Sequence, residues 1–539
     1  MVTPETEAHE LDVLVIGAGG AGLRASIEAR SAGLRTGVVC KSLLGKAHTV
    51  MAEGGIAAAM GNVWPEDSWA VHFRDTMRGG KMLANWRMAQ LHAMETPDRV
   101  MELESWGAVF DRTPDGRILQ RDFGGHRYAR LAHVGDRTGL EMVRTLQQRA
   151  VSLGIEVFME CIIVRLLLGS DGEVAGALGI WRASGEFVVF RAAAVVLATG
   201  GVGKAYQVTS ASWEYTGDGQ ALALGAGAEL IDMEFLQFHP TGMVWPPSVR
   251  GLLVTEGVRG DGGVLRNSEG RRFMFDYIPE FFAAETADTE AEADRWYTDK
   301  RNNRRTPDLL PRDEVARAIN TEVKAGRDSP HGGVFLDIAS RHDAEYIRRR
   351  LPSMYTQFKQ LADVDITKVA MEVGPTCHYI MGGIRVDAES AATTIPGLFA
   401  AGEVAAGLHG ANRLGGNSLG DLLTFGRRAG LAAVARAAGS RSGAVRAAGS
   451  GTEAGHLQAA QIGDACAGAL APIGREGGES PYAIHAELQA TMQSLVGIVR
   501  TASELSAALE ELDRLDERVA RVSVKGGRTF NPGWHLALS

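Results

Sequence analysis

The sequence predicts an α/β fold built from more than one domain, and three features of the chain lead to that prediction. Residues 11–16 (LDVLVI) form a short apolar strand that ends in glycine, and a helix-like stretch over residues 20–32 follows at once. Residues 398–401 have the character of a late strand of the same sheet. Between them, residues 243–368 are richer in charge, which is typical of a separate, more exposed domain.

The composition excludes some classes of protein. At 539 residues with 45% hydrophobic side chains, the chain is too long for one compact domain and can bury two or three cores. The formal net charge of −9 offers no basic surface of the kind that binds nucleic acid. The 67 glycines exceed an average share of about 7% and occur in groups such as GAG and GDG, which suits a backbone that approaches a ligand closely.

Cysteine usage and hydropathy indicate the compartment. Cys40, Cys161, Cys377 and Cys466 are too far apart in sequence for a CxxC pair, so we expect a reducing compartment and no disulfide framework or iron–sulfur cluster in this chain. No HExxH spacing occurs, so we predict no metal site. The N-terminus lacks a basic export signal, and no run approaches the roughly 20 apolar residues of a membrane helix. We expect a cytoplasmic protein that is soluble or held at a membrane by another subunit.

The turn after the first strand carries the first functional motif. It reads Gly17, Ala18, Gly19, Gly20, Ala21 and Gly22, which fits GxGxxG. Because the motif follows a strand and opens a helix, it predicts a Rossmann-like domain in which a pyrophosphate lies on the helix N-terminus. The second strand, near residues 36–40, ends in Cys40-Lys41-Ser42 where an acidic residue usually binds a ribose. Since lysine offers no acceptor for ribose hydroxyls, this departure disfavours an NAD site.

The next segment carries a resemblance to a known family. Residues 45–58 (GKAHTVMAEGGIAA) resemble the segment of succinate dehydrogenase and fumarate reductase flavoproteins in which a histidine before threonine bonds to the flavin 8α carbon. The resemblance implies FAD bound covalently through His48, a link expected to raise the flavin potential. Further matches in the family's order are ATGG at 198–201, GDG at 217–219, AGE at 401–403 and NSL at 417–419.

The resemblance also assigns residues to the cofactor. It implies that Asp218 and Glu403 hydrogen-bond FAD hydroxyls and that Ser418 and Leu419 lie against the ring system. Besides these residues and the glycine-rich turn, it implies cofactor contacts for Lys41, Ser42, Thr49, Gly54 and Gly55.

A dicarboxylate substrate needs donors at both ends, and the sequence offers them in five family-like segments. The candidates are His239 in FHPTG, Thr255 and Glu256 in VTEGVRGDGG, Arg312 in LPRDEVARAI, His378 in GPTCHYIMGG and Arg413 in HGANRLGG. The resemblance implies that His239, Thr255, His378 and Arg413 bind the carboxylates. It further implies that Arg312 exchanges the proton, with Glu256 and Arg259 as the relay to solvent. Arginine is ordinarily a poor base, so this role requires a dry, cation-rich site coupled to a carboxylate.

The sequence therefore predicts a flavoprotein subunit that interconverts succinate and fumarate by hydride transfer to or from FAD. Two alternatives stay open: an L-aspartate oxidase, which shares the fold but lacks the histidine of GKAHTV, and a flavin electron-transfer module without a substrate. The predicted partners are an iron–sulfur subunit, membrane anchor subunits and a quinone, with the chain peripheral on the inner face of the cell membrane. His72 and His126 are expected to have packing or interdomain roles.

The strand order and the resemblance divide the chain into domains. We expect a split FAD-binding domain at residues 1–242 and 369–434, with an inserted α+β capping domain at 243–368. An Ala-, Gly- and Ser-rich segment, residues 435–455, predicts a flexible linker. A C-terminal helical domain follows at 456–539. Since family members usually continue into a basic segment with an SRGxH-like sequence, the resemblance predicts that this domain is shortened or divergent.

Overall fold

The computed structural model describes residues 6–447 and 459–539. The strands are β1 (Glu7–Ile16), β2 (Thr36–Val39), β3 (Ile56–Ala57), β4 (Gln120–Arg121), β5 (Leu131–Ala132), β6 (Glu156–Phe158), β7 (Cys161–Leu168), β8 (Val174–Trp181), β9 (Phe187–Leu197), β10 (Leu230–Ile231), β11 (Leu236–Met243), β12 (Val264–Arg266), β13 (Val334–Asp337), β14 (Met371–Ile380), β15 (Gly383–Ile384) and β16 (Leu398–Ala400). The helices are α1 (Gly20–Ser31), α2 (Trp69–Gly79), α3 (Trp86–Ser105), α4 (Thr138–Ser152), α5 (Asp218–Gly225), α6 (Gly257–Gly260), α7 (Glu280–Ala283), α8 (Glu290–Trp296), α9 (Arg312–Lys324), α10 (Ala344–Arg350), α11 (Pro352–Ala362), α12 (Asn417–Ala447), α13 (Ala459–Leu470), α14 (Pro481–Leu495), α15 (Ala502–Val519) and α16 (Pro532–Leu538).

A seven-stranded mixed sheet forms the first domain. Its order is β6-β2-β1-β9-β8-β7, and β16 pairs with the end of β9. Strands β1, β2, β6, β9 and β16 run parallel, whereas β7 and β8 are antiparallel to their neighbours. The apolar runs of β1 and β9 are almost wholly buried, as expected for parallel strands covered on both faces. The predicted α/β class is confirmed.

The register of this sheet brings several chain segments to one edge. Ile16 lies opposite both Val39 and Leu197, and Leu197 lies opposite Ala400. The carboxyl ends of β1, β2, β9 and β16 are therefore level, and the turns that follow them converge. In open α/β sheets this edge is where ligands bind.

The inserted domain is an antiparallel sheet covered by helices. Its strand order is β11-β14-β13-β12, and α9 packs on β11 and β14 through a separate apolar core that includes Val315 and Ile319. The sheet begins at Leu236 and ends at Ile380. It therefore extends past the predicted limits of 243–368 on both sides, because β11 and β14 pair with each other and carry the shorter strands at their edge.

The first part of the predicted flexible linker, residues 435–447, is helical instead. Helix α12 continues to Ala447, and residues 448–455 lie outside the described residues. Ala429, Ala433 and Ala437 recur every fourth position and are completely buried, so they form one packed face of the helix. Gly426 allows α12 to approach α1, since a Cβ there would lie 2.7 Å from the carbonyl oxygen of Ala21. Tertiary packing thus stabilises a helix that the composition did not indicate.

The C-terminal region is helical, as expected. Helices α13 to α16 pack against the β7–β9 part of the large sheet, where Trp534 is completely buried and donates from Nε1 to the carbonyl of Ala469 at 2.7 Å. Helix α15 begins with a capping box formed by Thr501 and Glu504. Within the described ranges, every helix is too short or too polar to cross a membrane.

Candidate active site

A large cavity lies at the carboxyl edge of the sheet, between the first domain and the inserted domain. Its volume is about 1610 Å³ including its open mouth, and it is lined by every predicted site residue except Gly22 and Arg259. One cavity thus holds both the glycine turn and the residues predicted to bind a dicarboxylate.

The glycine-rich turn forms one end of this cavity. A Cβ at Gly17 would lie 2.2 Å from the carbonyl oxygen of Ala198, and one at Gly22 would lie 1.8 Å from that of Gly17. These two glycines are required for the tight turn and the close packing of α1 on β1. Gly19 is different, because its nearest neighbour would be Thr49 Oγ1 at 3.4 Å. It leaves the approach to the α1 N-terminus open, where the N-cap residue has no side chain and only the Gly20 N–H is taken, by Thr49 Oγ1 at 3.2 Å.

Lys41 has a carboxylate partner from a distant part of the chain. Its Nζ donates to Asp218 Oδ2 at 2.8 Å and to Thr216 Oγ1 at 2.7 Å. Asp218 opens α5, so the acidic group absent from the end of β2 is supplied from another segment beside the same cavity. The pair supplies both a donor and acceptors for sugar hydroxyls.

Glu403 follows β16 and is buried at the same edge. It accepts a hydrogen bond from the Ile380 N–H at 3.1 Å. Burial raises the pKa of Glu403 to about 8, although that N–H and the charge of Arg413 act in the opposite direction. A carboxyl group that is protonated near neutral pH can both donate to and accept from a ligand hydroxyl.

His48 lies in a short 3₁₀ helix, His48–Met51, at the wall of the cavity. Its Nδ1 accepts the backbone N–H of Ser212 at 3.2 Å, and its ring centroid lies 4.5 Å from that of Tyr215. Burial and the positive charges of Arg413 and Lys204 lower the pKa of His48 to about 4. The ring is therefore neutral at pH 7, and its Nε2 has no hydrogen-bond partner within the described chain.

Two predicted arginines converge on one side chain that the sequence motifs did not single out. Arg312 Nη1 donates to Gln237 Oε1 at 3.3 Å, and Arg413 Nη2 donates to the same oxygen at 3.1 Å. Arg413 Nη1 also donates to Ser418 Oγ at 2.7 Å, and its guanidinium carbon lies 4.1 Å from the centroid of the Tyr379 ring. Burial and the charge of Arg312 lower the pKa of Arg413 to about 10, which still leaves it charged at neutral pH.

The two predicted histidines stand beside these arginines. The rings of His239 and His378 are 5.1 Å apart, and both are buried. His239 Nδ1 lies 3.0 Å from the Thr241 carbonyl oxygen and 3.2 Å from the Thr241 backbone nitrogen, and His378 Nδ1 lies 2.8 Å from Ser210 Oγ. Burial, followed by the neighbouring arginine charges, lowers the pKa of each ring, so both are neutral. Because their Nδ1 atoms are engaged, Nε2 remains for a ligand.

Glu256 joins Arg312 to Arg259. Arg312 Nε donates to Glu256 Oε2 at 2.9 Å, and Arg259 Nη2 lies 3.9 Å from the same oxygen. Burial alone would raise the pKa of Glu256, but the charges of Arg312 and Arg259 outweigh it and lower the pKa to about 2. Arg259 is completely buried, so it does not itself reach solvent.

His72 and His126 lie under the loop that leads into α12. His126 Nε2 contacts the carbonyl oxygen of Gly415 at 2.7 Å, and His72 Nε2 contacts Asn417 Oδ1 at 2.9 Å. Both rings are buried, and burial lowers the pKa of each. They support the loop that carries Gly416 and Ser418 into the cavity, which is a packing role.

The residues of the cavity fit FAD. The glycine turn and the N-terminus of α1 suit a pyrophosphate, and Asp218 with Lys41 suits a sugar. Among the described residues, three buried polar atoms of the cavity lining have no hydrogen-bond partner: Glu53 Oε2, Thr199 Oγ1 and Arg413 Nε. Buried polar groups are normally paired, so these atoms indicate where ligand groups belong.

Two family models match this chain. A family model described as FAD binding domain matches residues 12–419, and one described as fumarate reductase flavoprotein C-term matches residues 485–539.

Similar proteins cover almost the whole chain. A fumarate reductase (CoM/CoB) chain of Methanothermobacter marburgensis is 44% identical over 535 residues, which cover 99% of this chain and 90% of that protein. The succinate dehydrogenase flavoprotein subunit of Coxiella burnetii is 38% identical, with 97% of this chain and 85% of that protein covered. The solved structure of Mycobacterium smegmatis Sdh1 in complex with UQ1 has a TM-score of 0.83 at 62% identity and covers 99% of this chain and 84% of that one.

Proposed function

Because the chain belongs to the succinate dehydrogenase and fumarate reductase flavoprotein family, we propose that it interconverts succinate and fumarate on an FAD held covalently by His48. Family membership makes it an FAD-dependent oxidoreductase. The observation that carries the finer proposal is that Arg312 and Arg413, which line the same cavity as the glycine turn and His48, converge on the buried Gln237.

The cofactor contacts follow from the free groups of the cavity. Bound FAD supplies the site that accepts or releases a hydride. The α1 N-terminus binds its pyrophosphate, and Asp218 and Glu403 bind its hydroxyls. His48 is neutral and its Nδ1 is held by the Ser212 N–H, so Nε2 is the nitrogen available for the covalent bond. An imidazole alkylated at Nε2 keeps its lone pair on Nδ1, which matches the hydrogen bond already present.

The substrate carboxylates are bound by cations and neutral donors together. Arg413 offers Nε, and His239 and His378 offer Nε2. Thr255 accepts the Gly257 N–H through Oγ1 at 3.3 Å, which leaves its own O–H free to donate. Charge-assisted hydrogen bonds of this kind are roughly twice as strong as neutral ones, and they favour the negative charge that develops on the substrate.

Arg312 exchanges the proton with the substrate carbon. Its Nε is tied to Glu256 and its Nη1 to Gln237, which leaves Nη2 without a hydrogen-bond partner in the described part of the chain. Arginine ordinarily holds its proton too firmly for this task. The ionised Glu256 at 2.9 Å provides the route by which a proton given up by Arg312 is replaced, with Arg259 as the next group in line.

Electrons leave the chain through partners. The four cysteines are free and buried, and the described residues hold no group of side chains that could ligate a metal ion or cluster. We therefore propose that the electrons pass to an iron–sulfur subunit, with membrane anchor subunits and a quinone beyond it, and the chain peripheral on the cytoplasmic face of the membrane. The subunit names of the relatives and the UQ1 bound to the Mycobacterium smegmatis protein support this arrangement.

One assay separates the proposal from its rivals. Purified protein should reduce an artificial dye with succinate, and Arg312→Ala should abolish that reaction. Hydrogen peroxide formed from aspartate, without dye reduction by succinate, would instead indicate an L-aspartate oxidase. Dye reduction that Arg312→Ala leaves unchanged would contradict the proposed proton exchange.

A further inference from the structure

Gln237 lies at the centre of a buried network that connects the two arginines. Its Oε1 accepts from Arg312 and Arg413, while its Nε2 donates to Asn412 Oδ1 at 2.7 Å and to the Arg413 carbonyl oxygen at 2.7 Å. Donors face only Oε1 and acceptors face only Nε2, so the orientation of the amide is fixed by its partners. The amide thus accepts two hydrogen bonds and donates two, all inside the protein. Gln237 is only 3% exposed.

The same network ties the inserted domain to the loop before α12. Arg312 opens α9, and Asn412 Nδ2 donates to Asp313 Oδ1 in the next position of that helix at 3.0 Å. Gln237 itself lies on β11 of the inserted sheet. The amide pair of Gln237 and Asn412 therefore fixes the start of α9 relative to Arg413, which belongs to the other wall of the cavity.

A neutral acceptor between two cations has a particular electrostatic consequence. The carbonyl dipole of Gln237 stabilises both guanidiniums without cancelling their charge, so two positive charges remain for a substrate with two negative ones. A carboxylate at this position would form a buried ion pair with the arginines and compete with the substrate for them. Glu256, by contrast, meets Arg312 from the Nε side, away from the Gln237 contact at Nη1.

We propose that Gln237 is a positioning residue. It fixes the guanidiniums of Arg312 and Arg413 relative to each other, so that Arg413 binds a carboxylate while Arg312 exchanges a proton. The inference rests on the proposed oxidoreduction of a dicarboxylate. The Gln237 amide neither contacts the substrate nor transfers a proton. Its effect is exerted through the two arginines alone.

The test compares Gln237→Glu and Gln237→Met in the full, flavin-loaded chain with a matched control. Gln461→Met removes a glutamine amide that bonds only to the backbone of Leu168, and neither residue lines the cavity. For each protein, succinate-driven dye reduction gives kcat and KM, and titration with malonate, followed by flavin absorbance, gives the affinity for a dicarboxylate without turnover. Flavin content and the melting temperature are measured alongside.

The two substitutions should act on different constants. Gln237→Glu should raise the KM and the malonate Kd by about 10- to 100-fold, as expected when a hydrogen bond between charged groups is lost to a competitor. Gln237→Met should mainly lower kcat, by about 10-fold or more, because Arg312 loses its alignment. Gln461→Met should stay within about twofold of the wild type in both constants.

Three results would overturn the proposal. One is a Gln237→Glu protein with wild-type KM and malonate Kd. Another is an equal fold-loss in kcat and KM in both Gln237 variants, and a third is loss of flavin from the nearly isosteric Gln237→Glu protein. The last two results would indicate a structural role. A wild-type protein that binds malonate but does not oxidise succinate would refute the proposed function instead, and the same assay would reveal it.

Discussion

Replacing Glu256 by Gln tests the proton route most sharply. The carboxylate is 1% exposed and is the only acid in contact with Arg312 among the described residues. It lies 2.9 Å from Arg312 Nε and 3.9 Å from Arg259 Nη2. Glutamine keeps the size of the side chain and removes the charge and the second acceptor oxygen.

The size of the expected effect follows from these contacts. Removing one partner of a buried ion pair costs about 3–5 kcal/mol, because an uncompensated charge stays buried. Losing a general acid–base group lowers the rate by about 10²- to 10⁴-fold, which corresponds to about 2.7–5.4 kcal/mol of barrier. We therefore expect kcat to fall by about 10²- to 10⁴-fold. KM should be unchanged or lower, since the cavity becomes more positive toward a dianion.

Steady-state dye reduction with succinate provides the measurement, at equal flavin content. Glu285→Gln serves as the control, because that carboxylate is 59% exposed, pairs with Arg78 at the surface and should leave kcat within about twofold. A Glu256→Gln protein with kcat within threefold of the wild type, or one that loses activity only through a higher KM, would refute the relay.

Two further predictions concern the glycine turn proposed to bind FAD and the buried His126. Gly22→Ala should abolish FAD binding, because its Cβ would lie 1.8 Å from the Gly17 carbonyl oxygen, whereas Gly225→Ala, where no atom lies within 4 Å, should retain full flavin absorbance. Burial lowers the pKa of His126 to about 3, so the folded protein leaves this ring neutral below pH 6.5 while the unfolded chain protonates it. The free energy of unfolding should therefore fall as the pH drops from about 6.5 toward 4, and His126→Gln should flatten that slope in urea titrations. A slope unchanged by His126→Gln, or an apo Gly225→Ala protein, would contradict these accounts.

Local sequence signals predicted the parts of the fold that depend on neighbouring residues. The strand, glycine turn and helix at residues 11–32 could be recognised because the apolar run, the GxGxxG spacing and the start of the helix all lie within one short segment. The helix α12 could not be recognised from local sequence. Its Ala- and Gly-rich stretch is stabilised by packing on α1, which lies about 400 residues earlier in the sequence. Composition alone does not contain that information.

The same distinction applies to the site. The motif segments supplied the arginines and histidines, but the pairing of Lys41 with Asp218 joins residues that are 177 positions apart. Gln237 was missed although a signal existed. On a strand, residues two positions apart face the same side, so Gln237 shares the face of His239. Applying that period to the FHPTG segment would have placed an amide in the site.

The account depends most on the covalent attachment of FAD at His48. We would denature the purified protein in acid, separate it on a gel and look for flavin fluorescence in the protein band, with His48→Ser treated in parallel. The account predicts fluorescence in the wild-type band and none in the His48→Ser band, whose FAD would be released on denaturation. A wild-type band without fluorescence, or a His48→Ser band that keeps it, would contradict the account.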